Sequence, residues 1–257
     1  TGLIYEMMME HDFDNFMIRP AGFGKTLFLS TLEEIFKGNK KLFEGTAIHR
    51  CEYSWLAYPV LRFDFSRMDP RKLEASLKKE LKKMAQAYGI TPPEDTTVKG
   101  QLEKLVQALS KNSTTGRVVI LVDEYDSPVT RSLNRNAETA GETRNILFKF
   151  LSTVTSLSDD FLQFIFVTGV NQFSVCGPQG CGHDHLVDLT LNPKYASLMG
   201  FTRNELDAYF VNHAVPAGHF NWDEIQTLHN GYRFSDRDLS VYSPSSTLSY
   251  ISGKDND

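Results

Sequence analysis

Lys25 and Thr26, standing behind Gly24 in RPAGFGKTLFLS (residues 19–30), and the pair Asp123-Glu124 in VVILVDEYDSP are the side chains whose types and order could do chemistry together. In a G-x-x-x-x-G-K-[ST] loop, backbone N–H groups wrap phosphates, the lysine neutralises terminal phosphate charge, and the hydroxyl ligates Mg²⁺. Arg19 occupies the place of the first glycine, so Pro20, Ala21 and Gly22 must make the turn out of the strand, with Gly22 as the substitute. Arg19, Pro20, Ala21, Gly22, Phe23, Gly24, Lys25, Thr26 and Leu27 are therefore the candidate phosphate-contacting residues.

An apolar strand ending in a carboxylate suits a Mg²⁺-organising role, which makes Asp123, with Thr26, a candidate metal ligand. The adjacent Glu124 could then orient or deprotonate an attacking water. Acidic residues after strands are also ordinary turn formers, and Asp126-Ser127-Pro128 reads as a turn. Thr168 ends the apolar run in FVTGV; its hydroxyl could sense a terminal phosphate, and a threonine there is equally an ordinary turn residue. Lys25, Glu124 and Thr168 form the candidate catalytic set.

These groups need elements to hold them. Asn15 to Ile18 is a short apolar strand before the loop, and Leu27, Phe28, Leu32, Ile35 and Phe36 recur at helical spacing after it. The loop is thus predicted at a helix N-terminus, where free N–H groups and the helix dipole favour an anion. Further on, a strand is expected over 59–66, helices over 70–88 and 98–110, and a polar turn over 112–116. A strand buried on both faces follows over 118–122, then a helix over 141–157 and a strand over 161–167. Strands alternating with helices imply a parallel sheet covered on both sides, and in such a sheet ligands bind beyond the carboxyl ends of the strands. Lys25 and the Asp123-Glu124 pair are both expected on that edge.

The chain has 257 residues, 41% of them hydrophobic, enough to bury a substantial core. A net charge of -5 gives no electrostatic reason to expect the surface as a whole to bind nucleic acid. Three cysteines, an odd number in a long chain, argue for a reducing compartment and an intracellular location. No apolar run approaches the ~20 residues of a membrane span. The chain begins at Thr1 rather than Met, which reads as a piece of a longer protein. No Asn-Lys-x-Asp guanine-reading sequence is present, which favours ATP over GTP.

RPAGFGKTLFLSTLEEIF, LFEGTAI, YPVLRFDFS, VVILVDEYDSPV, FVTGV, DLTLNPKYASLMGFTRNEL and NGYRFS, in that order, resemble the predicted AAA-ATPase-like family across nearly the whole chain. The family loop reads like Arg-Pro-Arg-Arg-Phe-Gly-Lys-Thr, so Arg19 belongs to a variant loop and does not signify decay. The resemblance implies an α/β P-loop NTPase: a three-layer sandwich with a parallel sheet, of the additional-strand type, plus a small C-terminal helical lobe. It divides the chain into a core over 1–200 and a lobe with polar tail over 201–257. ATP and Mg²⁺ are the implied ligands, and ATP hydrolysis driving a switch is the implied activity. Effector domains, often a PD-(D/E)xK-type nuclease, lie elsewhere in such proteins, and a homo-oligomer is left open. Ala21, Gly22 and Gln172 replace residues that are often basic in the family. That loss of positive charge makes binding firmer than turnover and keeps a nucleotide-gated module without turnover as the alternative.

Cys176, Cys181, His183 and His185 lie close enough to suggest zinc, but their spacing matches no common finger and a loop is the better reading. His213, His219 and His229 read as structural or surface residues. Trp55 and Trp222 read as packing residues, because no basic stretch accompanies them.

Overall fold

The computed structural model describes residues 1–10, 14–92, 94, 97–133, 137–157, 160–172, 176–177, 180–181, 186–211 and 221–252. Its centre is β3 (Val118–Asp123), in which all six residues are buried. Val118, Ile120 and Val122 enter one apolar cluster, and Val119 and Leu121 enter another on the opposite face. A strand covered on both sides reads as a continuous apolar run, which is how VVILV appears in the sequence.

Around it lie β2 (Val60–Asp64), β4 (Leu162–Gly169), β1 (Asp14–Ile18) and a two-residue β7 (Val187–Asp188). Their order is β2-β3-β4-β1-β7 and every pair is parallel. The strand leading into the loop and the strand carrying Asp123 are thus separated by β4, the arrangement expected of the additional-strand type. Two further strands, β5 (Cys176–Gly177) and β6 (Gly180–Cys181), pair with each other antiparallel.

On one face of the sheet pack α1 (Gly2–Glu10) and α2 (Lys25–Phe36); α2 buries Phe28, Leu29, Leu32, Ile35 and Phe36 along one stripe. The other face is covered by α3 (Leu73–Ala87), α4 (Val98–Asn112) and α6 (Ala137–Thr155), through Leu77, Leu81, Leu105, Leu147 and Leu151 among others. Each fully buried aliphatic side chain is worth roughly 1.5–3 kcal/mol. The three-layer α/β sandwich with a parallel sheet is therefore present.

Local boundaries differ from the sequence patterns for identifiable reasons. Asp126-Ser127-Pro128 is not a simple turn: Ser127 and Pro128 open a short helix, α5 (Ser127–Leu133), where a proline is tolerated because a first-turn N–H has no helical partner. β2 ends at Asp64, whose carboxylate accepts the Ser66 N–H and starts a 3₁₀ turn over Phe65–Arg67. α4 runs through Asn112, so the polar turn begins later, and α6 begins before 141.

The C-terminal part holds α7 (Arg203–Leu206), a π-helical turn over Asp207–Val211, α8 (Trp222–His229) and α9 (Pro244–Ile251). Leu206, Ile225 and Tyr242 form a small apolar cluster of their own. Trp55 packs on Phe43 and Tyr53, and the Arg203 guanidinium lies 3.4 Å from the centre of the Trp222 ring. Among the described residues, no helix is long and apolar enough to cross a membrane.

Candidate functional site

The loop between β1 and α2 turns through two glycines in the left-handed region, Gly22 at φ 79° and Gly24 at φ 81°. Gly24 is the N-cap of α2 and makes no side-chain cap, so the first N–H groups of the helix face the loop without intrahelical partners. Gly22 carries the first turn, the role Arg19 cannot fill. Its Cα also meets α9 so closely that an added Cβ would lie 2.1 Å from Ser245 Oγ, while Ser245 N–H donates to the Gly22 carbonyl at 3.2 Å.

Lys25 begins α2 and is only 4% exposed, not solvent-facing as a phosphate-reaching lysine would suggest. Its Nζ donates to the carbonyls of Arg19 and Pro20, each at 3.1 Å, and lies 3.8 Å from Glu124 Oε1. Burial lowers its pKa, against the pull of Glu124, Asp123 and Asp126. Thr26, Leu27, Ala21, Gly22 and Gly24 are exposed and Pro20 is half-buried.

The Arg19 side chain is committed elsewhere. It is 1% exposed and donates to the carbonyls of Ile18, Thr190 and Tyr195, with its guanidinium 3.9 Å from the centre of the Phe234 ring. Burial lowers its pKa to about 10, partly offset by Asp188, so it remains charged at neutral pH. Phe23 is also buried and meets Tyr232 and Phe234 edge-on at 4.8 and 5.5 Å. The loop therefore keeps its backbone toward solvent, while Arg19 and Phe23 anchor it to the C-terminal part of the chain.

Asp123 ends β3 and is 1% exposed. Burial raises its pKa, while a hydrogen bond from Thr26 and the charge of Arg62 work the other way. Its Oδ1 has no hydrogen-bond partner, an expensive condition for a buried carboxylate oxygen unless something else satisfies it. Glu124 follows at φ 50°, a left-handed conformation unusual for a residue with a side chain, and is partly exposed. Burial raises its pKa, against the lowering effect of Lys25. Thr168, on β4 in register with Met17 of β1, is fully buried and its Oγ1 also lacks a partner.

Lys25, Thr26, Asp123 and Glu124 are thus brought together at the carboxyl edge of the sheet. A Mg²⁺ bound with nucleotide keeps several waters and takes one or two carboxylates plus phosphate oxygens. An Asp123 carboxylate that meets the Thr26 side chain and keeps Oδ1 unpartnered fits such an ion. Among the described residues, no group of three or more His, Cys, Asp or Glu side chains could hold a metal by itself. His183, His185, His213 and His219 lie outside the described residues. His229 is buried, with Nδ1 2.8 Å from Ser246 Oγ, in keeping with a structural role. Gln172 is exposed and donates to Asp188 Oδ2.

Two residues that the motifs do not mark also belong to this edge. Arg62, on β2, donates to Glu33 Oε2 at 3.0 Å and to the Thr26 carbonyl at 3.3 Å, and its Nη2 lies 3.7 Å from Asp123 Oδ2. Asp126 accepts from the Val170 and Asn171 N–H groups and from Asn171 Nδ2, joining the loop after β3 to the loop after β4. The available signal for Arg62 was its place as the cation on the polar side of LRFDF, which alternates apolar with polar; Asp126 has no spacing signal, because its partners are distant in sequence.

Residues 1–177 match the family described as Predicted AAA-ATPase. The chain belongs to that family. At that level this AAA-ATPase-like chain is a nucleotide-binding P-loop NTPase, and its sheet order agrees. It is also 34% identical over 250 residues to an Azotobacter chroococcum mcd 1 protein described as "Uncharacterized protein in vnfD 5'region". That match covers 95% of this chain and 46% of the relative, so the chain spans about half the length of the curated relative it matches.

Proposed function

We propose that this domain binds ATP with Mg²⁺ and hydrolyses it slowly, as a switch for an effector elsewhere in a longer polypeptide. The observation that carries the reading is the meeting of Lys25 Nζ with Glu124 Oε1 at 3.8 Å, beside a buried Asp123 whose Oδ1 is unpartnered. Lys25 would exchange its two loop carbonyls for phosphate oxygens, and the N–H groups at the start of α2 would take others. Thr26 Oγ1 and Asp123 Oδ1 would hold Mg²⁺. The bound ion would supply charge neutralisation across the β- and γ-phosphates. Glu124, its basicity raised by burial, would accept a proton from the water that attacks the γ-phosphorus, with ADP leaving. Thr168 Oγ1 would donate to a γ-phosphate oxygen.

A second reading, a nucleotide-gated module without turnover, is favoured by one observation. Arg19 is turned into the C-terminal part of the chain, and Ala21 and Gly22 add no charge, so the loop segment offers Lys25 as its cation toward phosphate. Single-turnover phosphate release by the wild type beside Glu124→Gln separates the two. Hydrolysis that the substitution slows supports the enzyme; binding by both proteins without hydrolysis by either supports the module. We take 1–200 as the core and 201–257 as the lobe. A nuclease is one alternative for the effector, beside other domains, and self-association is not part of this proposal.

A further inference from the structure

Arg62 is a cation placed inside the site by a strand rather than by the loop. It stands on β2, with its guanidinium lying across three groups from two other elements: Glu33 and the Thr26 carbonyl on α2, and Asp123 at the end of β3. Two of these contacts are hydrogen bonds, and the third is an ion pair at 3.7 Å. Glu33 itself is held by Lys37 at 2.6 Å, which anchors the far side of the fork. The nearest other carboxylate on β2 is Asp64, in register with Asp123. It is engaged with Ser66 and Arg67, so it does not compete for the guanidinium.

Asp123 is nearly sealed from water, and a buried carboxylate is held in one orientation only if its neighbours fix it. Arg62 faces Oδ2, while Oδ1 has no partner. The same guanidinium grips the Thr26 carbonyl, so it ties the hydroxyl-bearing residue and the carboxylate-bearing residue to one rigid plane.

We propose that Arg62 is a positioning residue for the metal: it occupies Asp123 Oδ2 and fixes Thr26, leaving Asp123 Oδ1 and the Thr26 hydroxyl aimed at a divalent cation bound with nucleotide. This rests on the reading of Asp123 and Thr26 as Mg²⁺ ligands. Arg62 acts through these two residues and touches neither water nor phosphate in the mechanism. A planar fork is required, because lysine can neutralise one partner but cannot span all three.

The test is calorimetric titration of ATP with and without Mg²⁺ into wild type, Arg62→Met, Arg62→Lys, Glu33→Gln and Asp123→Asn. The quantity read is the gain in ATP affinity that Mg²⁺ brings. Loss of a group that orients a metal ligand costs roughly 10–100-fold in metal affinity. Arg62→Met is expected to cut the Mg²⁺ gain by at least ~10-fold while metal-free ATP affinity stays within about threefold, and Arg62→Lys is expected to fall between it and wild type. Should Arg62→Met fail to fold, Glu33→Gln, which frees one side of the fork without touching β2, is expected to reduce the gain in the same direction. An undiminished or increased gain in Arg62→Met, or in Glu33→Gln where it stands in, overturns the proposal, as does equal loss of affinity with and without Mg²⁺. An Asp123→Asn variant that keeps the full gain sinks the metal reading itself. A diminished gain there with an intact one in Arg62→Met sinks only the role of Arg62.

Discussion

Asp126 and Asn171 are joined by two hydrogen bonds, the buried carboxylate accepting from the backbone N–H at 2.9 Å and from the side-chain amide at 3.0 Å of the same residue. The neighbouring Val170 N–H adds a third at 3.1 Å, and Tyr125 donates through its hydroxyl to the Asn171 carbonyl and through its N–H to Thr168. The loop carrying Glu124 and the loop following Thr168 are therefore tied to each other by five hydrogen bonds. A side chain at Gly169 would meet Asp126 Oδ1 at 2.4 Å, so this closeness depends on a glycine there. Asp126→Ala is expected to destabilise the fold by about 3 kcal/mol, because three donors lose a charged acceptor. Urea unfolding measures it; a loss under about 1 kcal/mol would mean that the two loops are held by other contacts.

Lys25→Ala is expected to abolish the stabilisation that Mg-ATP gives in a thermal melt. In the absence of nucleotide the change should stay near 1 kcal/mol, since two hydrogen bonds to loop carbonyls are lost but a buried ammonium is removed as well. A mutant that still melts higher with Mg-ATP contradicts the assignment of this loop.

At Glu124 two substitutions separate chemistry from strain. Glu124→Gln is expected to bind ATP and slow single-turnover hydrolysis by at least ~100-fold, because the amide cannot accept the proton. Glu124→Gly is expected to be equally slow yet more stable than wild type by roughly 1 kcal/mol, because φ 50° costs a side chain about that much and costs glycine nothing. If the glycine variant is less stable, the left-handed backbone is not a source of strain.

Gly22→Ala meets two obstacles, a positive φ and Ser245 Oγ. The expected loss is about 2 kcal/mol or more, combining roughly 1 kcal/mol for the backbone with a steric term. Ser245→Gly in the same chain should recover the steric part and leave the backbone part. Equal stability of the single and double mutants would show that α9 yields instead.

Glu33 allows a pH test away from the proposed metal ligands. Burial pushes its pKa up, but hydrogen bonds from Lys37 and Arg62 outweigh that and leave it below the ordinary value. A carboxyl group whose pKa is lower folded than unfolded stabilises the protein above its unfolded pKa, and that contribution fades as pH falls through the folded value. Glu33→Gln should therefore cost up to ~1 kcal/mol at neutral pH and converge on wild type in acid. A difference between the two proteins that is constant from pH 7 down to pH 3 would assign the effect to packing.

The order of elements and the grouping of the candidate residues Lys25, Thr26, Asp123 and Glu124 at one sheet edge were legible in the sequence because each rests on local signals. The run VVILV carries the pattern of a strand buried on both faces, the spacing of Phe28, Leu32, Ile35 and Phe36 gives the stripe of α2, from which Leu27 departs by facing solvent, and Gly24-Lys25-Thr26 needs only a strand before it and a helix after it. What the tertiary structure alone decided are relations between residues far apart in the chain. Arg19 reads as a loop residue, but contacts with Thr190, Tyr195 and Phe234 turn its side chain away from the loop. Lys25 reads as exposed, but backbone carbonyls of its own loop fold it inward. Asp126 reads as a turn former and is the acceptor for a loop more than forty positions on. Arg62 reads as the polar side of a half-buried strand and reaches Asp123 only because β2 and β3 pair in register. Periodicity reports which face of an element is apolar; the partner of a buried charge depends on which strands become neighbours, and that is set only when the sheet is assembled.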